Sequence, residues 1–344
     1  MKKLLAIVLC ACTLLTVLVA CGDKEADYKL GMGVVVSMDS SATNNAQVDA
    51  TVATVVTDAE GKIVACRIDV AQNKMDVTAG AVKTDATFKT KMEKGTEYDM
   101  AGKVDNDDNG VMKEWDEQTK AFEAYVVGKT VAEVEAIKTQ EKKGHLIAVD
   151  QALLDAGCSM QITDFIAAVV KACKDDQAAS FKAVAGTFTL GVAAKTTVDA
   201  ATAAATAEAE GVVAMYTDFA AAVVAEGKIL AALNDAIQPK IGMTVAGEIT
   251  TKTFKDTKRA LKGEYGMAGK VDNNDDGVMK EWFEQSAAFS AHVVGMTASE
   301  VAAMTTQAAK GHDITTDAEL LAAGCSMQIT GIKAVVAQAA NNAR

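Results

Sequence analysis

Ala101-Gly-Lys-Val-Asp-Asn-Asp-Asp-Asn-Gly-Val-Met-Lys-Glu-Trp115 returns, with two changes, at Ala268 to Trp282. Ala156-Gly-Cys-Ser-Met-Gln-Ile-Thr163 returns unchanged at Ala323 to Thr330, and both pairs lie 167 positions apart. The chain therefore reads as a tandem duplication. Ahead of these stretches the likeness continues with a shorter spacing. Ala59-Glu-Gly-Lys-Ile63 matches Ala225 to Ile229, and Leu30-Gly31 matches Leu190-Gly191, so the second copy carries its insertion in an early loop, over the alanine-rich Ala200 to Glu210.

Each copy opens with strand patterns. Leu30 to Ser37, Val48 to Val56 and Lys62 to Asp69 are rich in Val, Ile and Ala and are separated by Asp/Asn/Gly turns, as an antiparallel meander requires. Phe219 to Val224 is the middle strand of the second copy. Helical spacing follows. Trp115, Thr119, Phe122 and Val126 share one helix face, as do Trp282, Ser286, Phe289 and Val293. Gly128 and Gly295 suit the ends of these helices, and Thr130-x-x-Glu133 and Thr297-x-x-Glu300 are capping boxes for the next. Phe165, Ile166, Val169 and Val170, with Ile332, Val335 and Val336 in the second copy, predict a last amphipathic helix. The expected class is α+β: two tandem copies of an antiparallel sheet with helices, over residues 29–175 and 180–344, joined by Lys174-Asp-Asp-Gln177.

The N-terminus has the form of an export signal over residues 1–20: Met1-Lys2-Lys3, an apolar run from Leu4 to Ala20, then Cys21-Gly22. Leu18-Val19-Ala20-Cys21 resembles a bacterial lipobox, which implies lipidation of Cys21, a short tether over residues 21–28, and a protein anchored at the extracytoplasmic face of the membrane. The formal net charge is −12, and more negative still without Lys2 and Lys3, which argues against nucleic acid as a partner. Cys66, Cys158, Cys173 and Cys325 form no CxxC pair and are too few for a disulfide framework.

Three features carry candidate chemistry. Gly157-Cys158-Ser159 and Gly324-Cys325-Ser326 precede helical patterns, where a helix N-terminus favours a phosphate, a serine can cap the helix and a thiol can have a lowered pKa. Asp105, Asp107 and Asn109 with Gly110, and Asp272, Asn274 and Asp276 with Gly277, stand at positions 1, 3, 5 and 6 of a calcium loop, with the Val111 and Val278 carbonyls at position 7. Position 12 is Asp116 or Phe283, leaving Glu117 and Glu284, one residue later, as substitutes. His145 and His312 are solitary, and Trp115 and Trp282 fit core packing or stacking on a ring. No HExxH, Walker loop or hydrolase triad order is present.

The glycine-rich opening, the Asp58 to Ile63 hairpin and the Gly-x-Ser ending together resemble the FMN-binding domain of covalently flavinylated extracytoplasmic bacterial lipoproteins. That resemblance implies FMN joined through its phosphate to Ser159 and Ser326, with Gly157 and Gly324 beside them. It also implies a flavin transferase and membrane redox proteins as partners, and electron transfer outside the cytoplasm. The sequence departs from the family pattern: Cys158 and Cys325 stand where it has alanine, Ala156 and Ala323 where it has a hydroxyl residue, and Ala322 takes the place of Asp155. The residues alone fit nearly as well a non-redox surface lipoprotein, a two-domain binding or interaction module with structural calcium loops.

Overall fold

A computed structural model describes residues 24–344. The export signal and Cys21 lie outside the described residues. Strands β1 (Glu25–Ser37), β2 (Asn45–Thr57) and β3 (Ile63–Asp76) form the expected meander, each longer than its apolar run. Then come α1 (Lys91–Lys94), α2 (Trp115–Val126), α3 (Val131–Glu135), a small hairpin of β4 (Thr139–Lys142) and β5 (His145–Ala148), α4 (Gln151–Asp155) and α5 (Thr163–Cys173). The second half follows with β6 (Ala179–Val184), β7 (Thr189–Val198), β8 (Gly211–Ala225), β9 (Lys228–Ile237), β10 (Lys240–Met243) and β11 (Ile249–Thr253). It ends with α6 (Lys258–Leu261), α7 (Trp282–His292), α8 (Ala298–Ala303), the hairpin β12 (Thr306–Ala309) and β13 (His312–Thr315), α9 (Ala318–Ala322) and α10 (Thr330–Asn341). The class is α+β, with antiparallel sheets and ten α-helices among the described residues.

The first sheet has the order β3-β2-β1-β6, and the second β11-β10-β8-β7 with β9 also on β8. Strand β8 serves two partners in succession, β10 along Gly211–Ala214 and β9 along Thr217–Ala225. The break between those partners is at Gln238-Pro239, where the chain's one proline, which lacks a ladder donor, gives its carbonyl to the Met215 N–H at 3.3 Å. The alanine-rich insertion is a loop, bridged to β8 through Ala203 and Val212.

Each sheet is covered on both faces. Leu30, Met32 and Val48 from one sheet and Val192, Met215 and Phe219 from the other belong to a single apolar cluster. Behind the first sheet, Phe122, Phe165 and Val169 of α2 and α5 close a second cluster. Behind the other, Phe289, Val335 and Val336 of α7 and α10 close a third. The layers run helix, sheet, sheet, helix. Helices reach the sheets closely where β1 and β7 carry glycine. A Cβ on Gly33 would lie 2.2 Å from the Ala168 carbonyl oxygen, and one on Gly191 would lie 1.9 Å from that of Ala339. This explains the glycine-rich opening of each half by helix–sheet packing.

Two boundaries expected from the sequence shift. Residues 25–28 are not a tether, because β1 begins at Glu25 and pairs with β6; Tyr28 is buried, its ring 5.6 Å from that of Phe181. Lys174 to Gln177 is not a loose linker. Asp175 accepts the Met32 N–H at 3.0 Å and both its oxygens meet Arg259 Nη2, at 3.2 and 3.1 Å, with both side chains 7% exposed. Elsewhere between the halves, Arg344 Nη2 donates to Glu123 at 2.9 Å.

The Asp175–Arg259 pair fixes the crossing between the halves. Breaking a buried pair from one side leaves an uncompensated charge, so Arg259→Met should lower unfolding free energy by about 3–5 kcal/mol in urea melts. Adding Asp175→Asn should recover part of that loss. A single variant as stable as the parent would show that the pair is not closed in solution.

Candidate functional site

The two motifs that the sequence offers separately meet in the structure. Asn106, at position 2 of the acidic loop, donates from Nδ2 to the Ser159 carbonyl at 2.8 Å, and Asn273 does the same to Ser326 at 2.7 Å. Gln118 Oε1 of α2 accepts the N–H groups of Ser159 and Met160, both at 3.0 Å; Gln285 of α7 accepts those of Ser326 and Met327 at 2.9 and 2.8 Å. Lys113 and Lys280 each donate to the carbonyl before the Gly-Cys-Ser stretch, at Ala156 and Ala323. These amides had no signal in the sequence beyond their place on a helix face.

Gly-Cys-Ser closes a helix rather than opening one. Gly157 has φ +86°, its N–H bonds the Leu154 carbonyl at 2.8 Å and the Cys158 N–H bonds that of Leu153 at 3.1 Å, which is a Schellman ending for α4. Gly324 and Cys325 repeat it on Leu321 and Leu320. Helix α5 is capped at Ile162 and α10 at Ile329, so neither serine is an N-cap. Burial pushes the Cys158 and Cys325 thiols up to about 12, the opposite of the lowered value expected at a helix N-terminus. Ser159 and Ser326 are each 1% exposed, and their hydroxyl oxygens have no hydrogen-bond partner among the described residues. As folded, these hydroxyls are enclosed by protein rather than open to a phosphate.

The acidic loops hold the first half of a calcium-loop conformation. Asp105 accepts the Asn109 N–H at 3.2 Å and the Gly110 N–H at 2.9 Å; Asp272 accepts those of Asp276 and Gly277 at 3.3 and 3.0 Å. Positions 4 and 6 are left-handed, with φ +60° at Asp108 and +77° at Gly110, and +58° and +78° at Asp275 and Gly277. One oxygen of each position-3 side chain, Asp107 Oδ1 and Asn274 Oδ1, is enclosed without a partner. The far end of the loop is used differently. Glu117 and Glu284 accept the Glu114 and Glu281 N–H groups at 2.9 Å in capping boxes, so they are not loop ligands. Lys143 donates to Asp108 Oδ1 at 2.6 Å, and Lys310 to Asp275 Oδ1 at the same distance. No three His, Cys, Asp or Glu side chains converge among the described residues.

The second half also holds a cleft of about 810 Å³, within the range of small-molecule sites. It lies between β7, β8, α6 and the segment that begins α10. Lys258, 6% exposed, sits in its wall with Nζ 4.5 Å from the Tyr216 ring centre, 4.8 Å from that of Tyr265 and 5.6 Å from that of Trp282. Its single hydrogen bond goes to the Tyr216 hydroxyl at 3.0 Å. Burial lowers its pKa to about 8, against the pull of Asp218. Asp218 is buried too, and desolvation raises its pKa to about 7 despite Lys258 and Lys195. His312 and Gln328 line the mouth, whereas His145 is exposed at the tip of the first small hairpin. Trp282 thus serves core and cleft together, while Trp115 packs edge-on against Phe165 with centres 5.9 Å apart. Tyr216, Asp218 and Lys258 were missed by sequence reasoning; only the shared Thr-Lys before each acidic loop hinted at Lys258.

The chain matches no protein-family model, no curated protein and no solved structure.

Asp218 gives a pH signature. Its folded pKa of about 7 lies above its ordinary 3.8, so between those values the native state holds a proton that the unfolded chain releases. The stability this proton contributes is full below about pH 4 and is lost as pH rises through 7. Asp218→Asn should flatten that decline by on the order of 2–4 kcal/mol in denaturant midpoints followed from pH 4 to 8. A decline unchanged in the variant would place the titration elsewhere.

Proposed function

We propose that this chain is a lipid-anchored extracytoplasmic carrier built from two copies of one unit, and that the cleft of the second half holds a flat aromatic ligand of the flavin class. The observation that carries this reading is the cleft wall, where Tyr216, Tyr265 and Trp282 surround Lys258 in a space of about 810 Å³. Aromatic faces and a fixed cation suit a planar ring bearing an anionic group. FMN meets both requirements, and bound there it would supply redox chemistry, which fits an electron carrier between membrane redox proteins and an external acceptor. The chain's own part is to stack the ring, to set a positive charge beside it and to exclude water. The duplication is supported by the 167-residue offset and by the matched Asn106–Ser159 and Asn273–Ser326 bonds.

The test is intact mass and colour after co-expression with an extracytoplasmic flavin transferase, with Ser159→Ala and Ser326→Ala alongside. Flavin that co-purifies and leaves on denaturation supports a cleft-bound ligand. An FMN mass that vanishes with a serine would show that the buried hydroxyl opens for attachment. Colourless protein, with no FMN bound on titration, would overturn the flavin reading.

The second reading, a binding module with structural calcium loops, is favoured by the paired left-handed positions and the partnerless oxygens of Asp107 and Asn274. The ligands would be Asp105, Asp107, Asn109 and the Val111 carbonyl, with Asp272, Asn274, Asp276 and the Val278 carbonyl in the second loop. Millimolar calcium should raise the melting temperature by roughly 2–8 °C, as a bound ligand stabilises the folded state, and chelator should reverse it. Asp105→Ala with Asp272→Ala should abolish the response; a parent protein indifferent to calcium removes the claim.

A further inference from the structure

The two halves share a frame but differ around one lysine. Lys91 and Lys258 stand at matched positions, each before an acidic loop and each beside a tyrosine and a tryptophan. Lys91 Nζ is 4.8 Å from the Tyr98 ring centre and 5.6 Å from that of Trp115, the same distances as Lys258 to Tyr265 and Trp282. The strand opposite is different. Leu30 pairs with Val56 and Leu190 with Val223, and counting back from those pairs places Asp49 and Tyr216 at the same point of β2 and β8. The first residues of the last helix differ as well: Thr163-Asp164-Phe165 against Thr330-Gly331-Ile332.

In the first half, two carboxylates stand near the lysine. Burial raises the Asp164 pKa, Asp49 raises it further and Lys91 lowers it, so the three groups share one neighbourhood. In the second half both carboxylates are gone. Tyr216 replaces Asp49, and Gly331 replaces Asp164, leaving no room for a side chain: a Cβ there would lie 2.2 Å from Asp218 Oδ2. Asp218, which pairs across the ladder with Lys195, acts on Lys258 together with Asp199 and Asp235, but among the described residues none of them closes an ion pair with it. Phe165, which packs on Trp115, becomes the smaller Ile332 beside Trp282, and the space released belongs to the cleft. The cleft wall carries Lys195, Lys258 and Lys270 against Asp199 and Asp218, a positive excess on a chain of formal charge −12. A buried ammonium held by one neutral hydroxyl and three ring faces is a site short of an anion.

We infer that the second half alone is the ligand-binding half, and that Lys258 receives the anionic group of an aromatic ligand whose ring lies against Trp282 and the two tyrosines. The first half keeps the frame with Asp49 and Asp164 near its lysine. This rests on the cleft being the binding site, but not on the ligand being a flavin.

The experiment is calorimetric titration of the full mature chain with naphthalene-2-sulfonate and with its neutral counterpart, naphthalene-2-sulfonamide. One sulfonate per chain is expected, with the sulfonamide roughly tenfold weaker or worse, since a charged acceptor gains most from a buried ammonium. Lys258→Met should lose that preference and Lys91→Met should keep it. Two equal sites, equal affinity for the neutral compound, preference lost with Lys91→Met, or no sulfonate binding at millimolar concentration would each overturn the inference. The comparison of the two ligands on the unmutated chain stands even if Lys258→Met fails to fold. FMN titrated in parallel separates the two ideas: sulfonate binding through Lys258 without FMN binding supports the anion seat and ends the flavin reading.

Discussion

A sheet that is apolar on both faces cannot be sheltered by one layer of helices. Strand β2 is buried along almost its whole length, with Ala53 and Val55 turned to α2 and α5 while Val48 and Val52 turn the other way. Strand β8 repeats the arrangement with Ala220 and Ala222 against Phe219 and Val223. The apolar surface that each sheet uses on its inner face is the other sheet. Burial of that shared cluster is the dominant favourable contribution to holding the halves together, and the crossing contacts at Asp175–Arg259 and Glu123–Arg344 set the register of one against the other. The two halves are thus joined through one central core.

That arrangement leaves each half free to change only on its outer, helical side. The inner faces must keep complementing each other, and the helices must keep their close approach over Gly33 and Gly191. The edge where the strand ends meet α1 or α6 lies outside that packing, apart from Arg259 of α6, which holds Asp175. It is there that Asp49 and Tyr216, or Asp164 and Gly331, differ, while the capping carboxylates behind them are retained. Asp69 accepts the Met92 N–H at 3.1 Å and Asp235 the Arg259 N–H at 3.0 Å, so a buried strand carboxylate anchors the lysine-bearing turn in both halves. Burial raises both their pKa values, that of Asp69 to about 6, and the retained N–H bonds offset part of that cost.

The parts of this fold that were legible in the sequence are those governed by local rules. Thr130/Glu133 and Thr297/Glu300 form the capping boxes their spacing requires, and the Asp58 to Ile63 turn closes β2 onto β3. Gly-Cys-Ser was misread because a glycine before a helical pattern also follows one. Leu153-Leu154 and Leu320-Leu321 belong to helices of only five residues, too short to announce themselves by periodicity. The cleft was not legible at all. It is made by residues from β8, α6 and α7 that lie far apart in the chain, and its decisive change is the absence of a side chain at Gly331, which no motif records.

The acidic loop and the cleft are one wall, not two sites. Asn273 is position 2 of the loop, 7% exposed, and lines the cleft with one edge while its amide holds the Ser326 carbonyl. Ser326 and Met327 are held in turn by Gln285, one helical turn beyond Trp282. Any ion that tightened Asp272, Asn274 and Asp276 would therefore stiffen the segment that carries Met327, Gln328 and Gly331 along the cleft wall. In the first half the same chain of bonds holds Ser159 and Met160, and the last helix carries Asp164 where the second half has Gly331. The loop is common to both halves, and in the second it borders the cleft whose wall carries the buried Lys258.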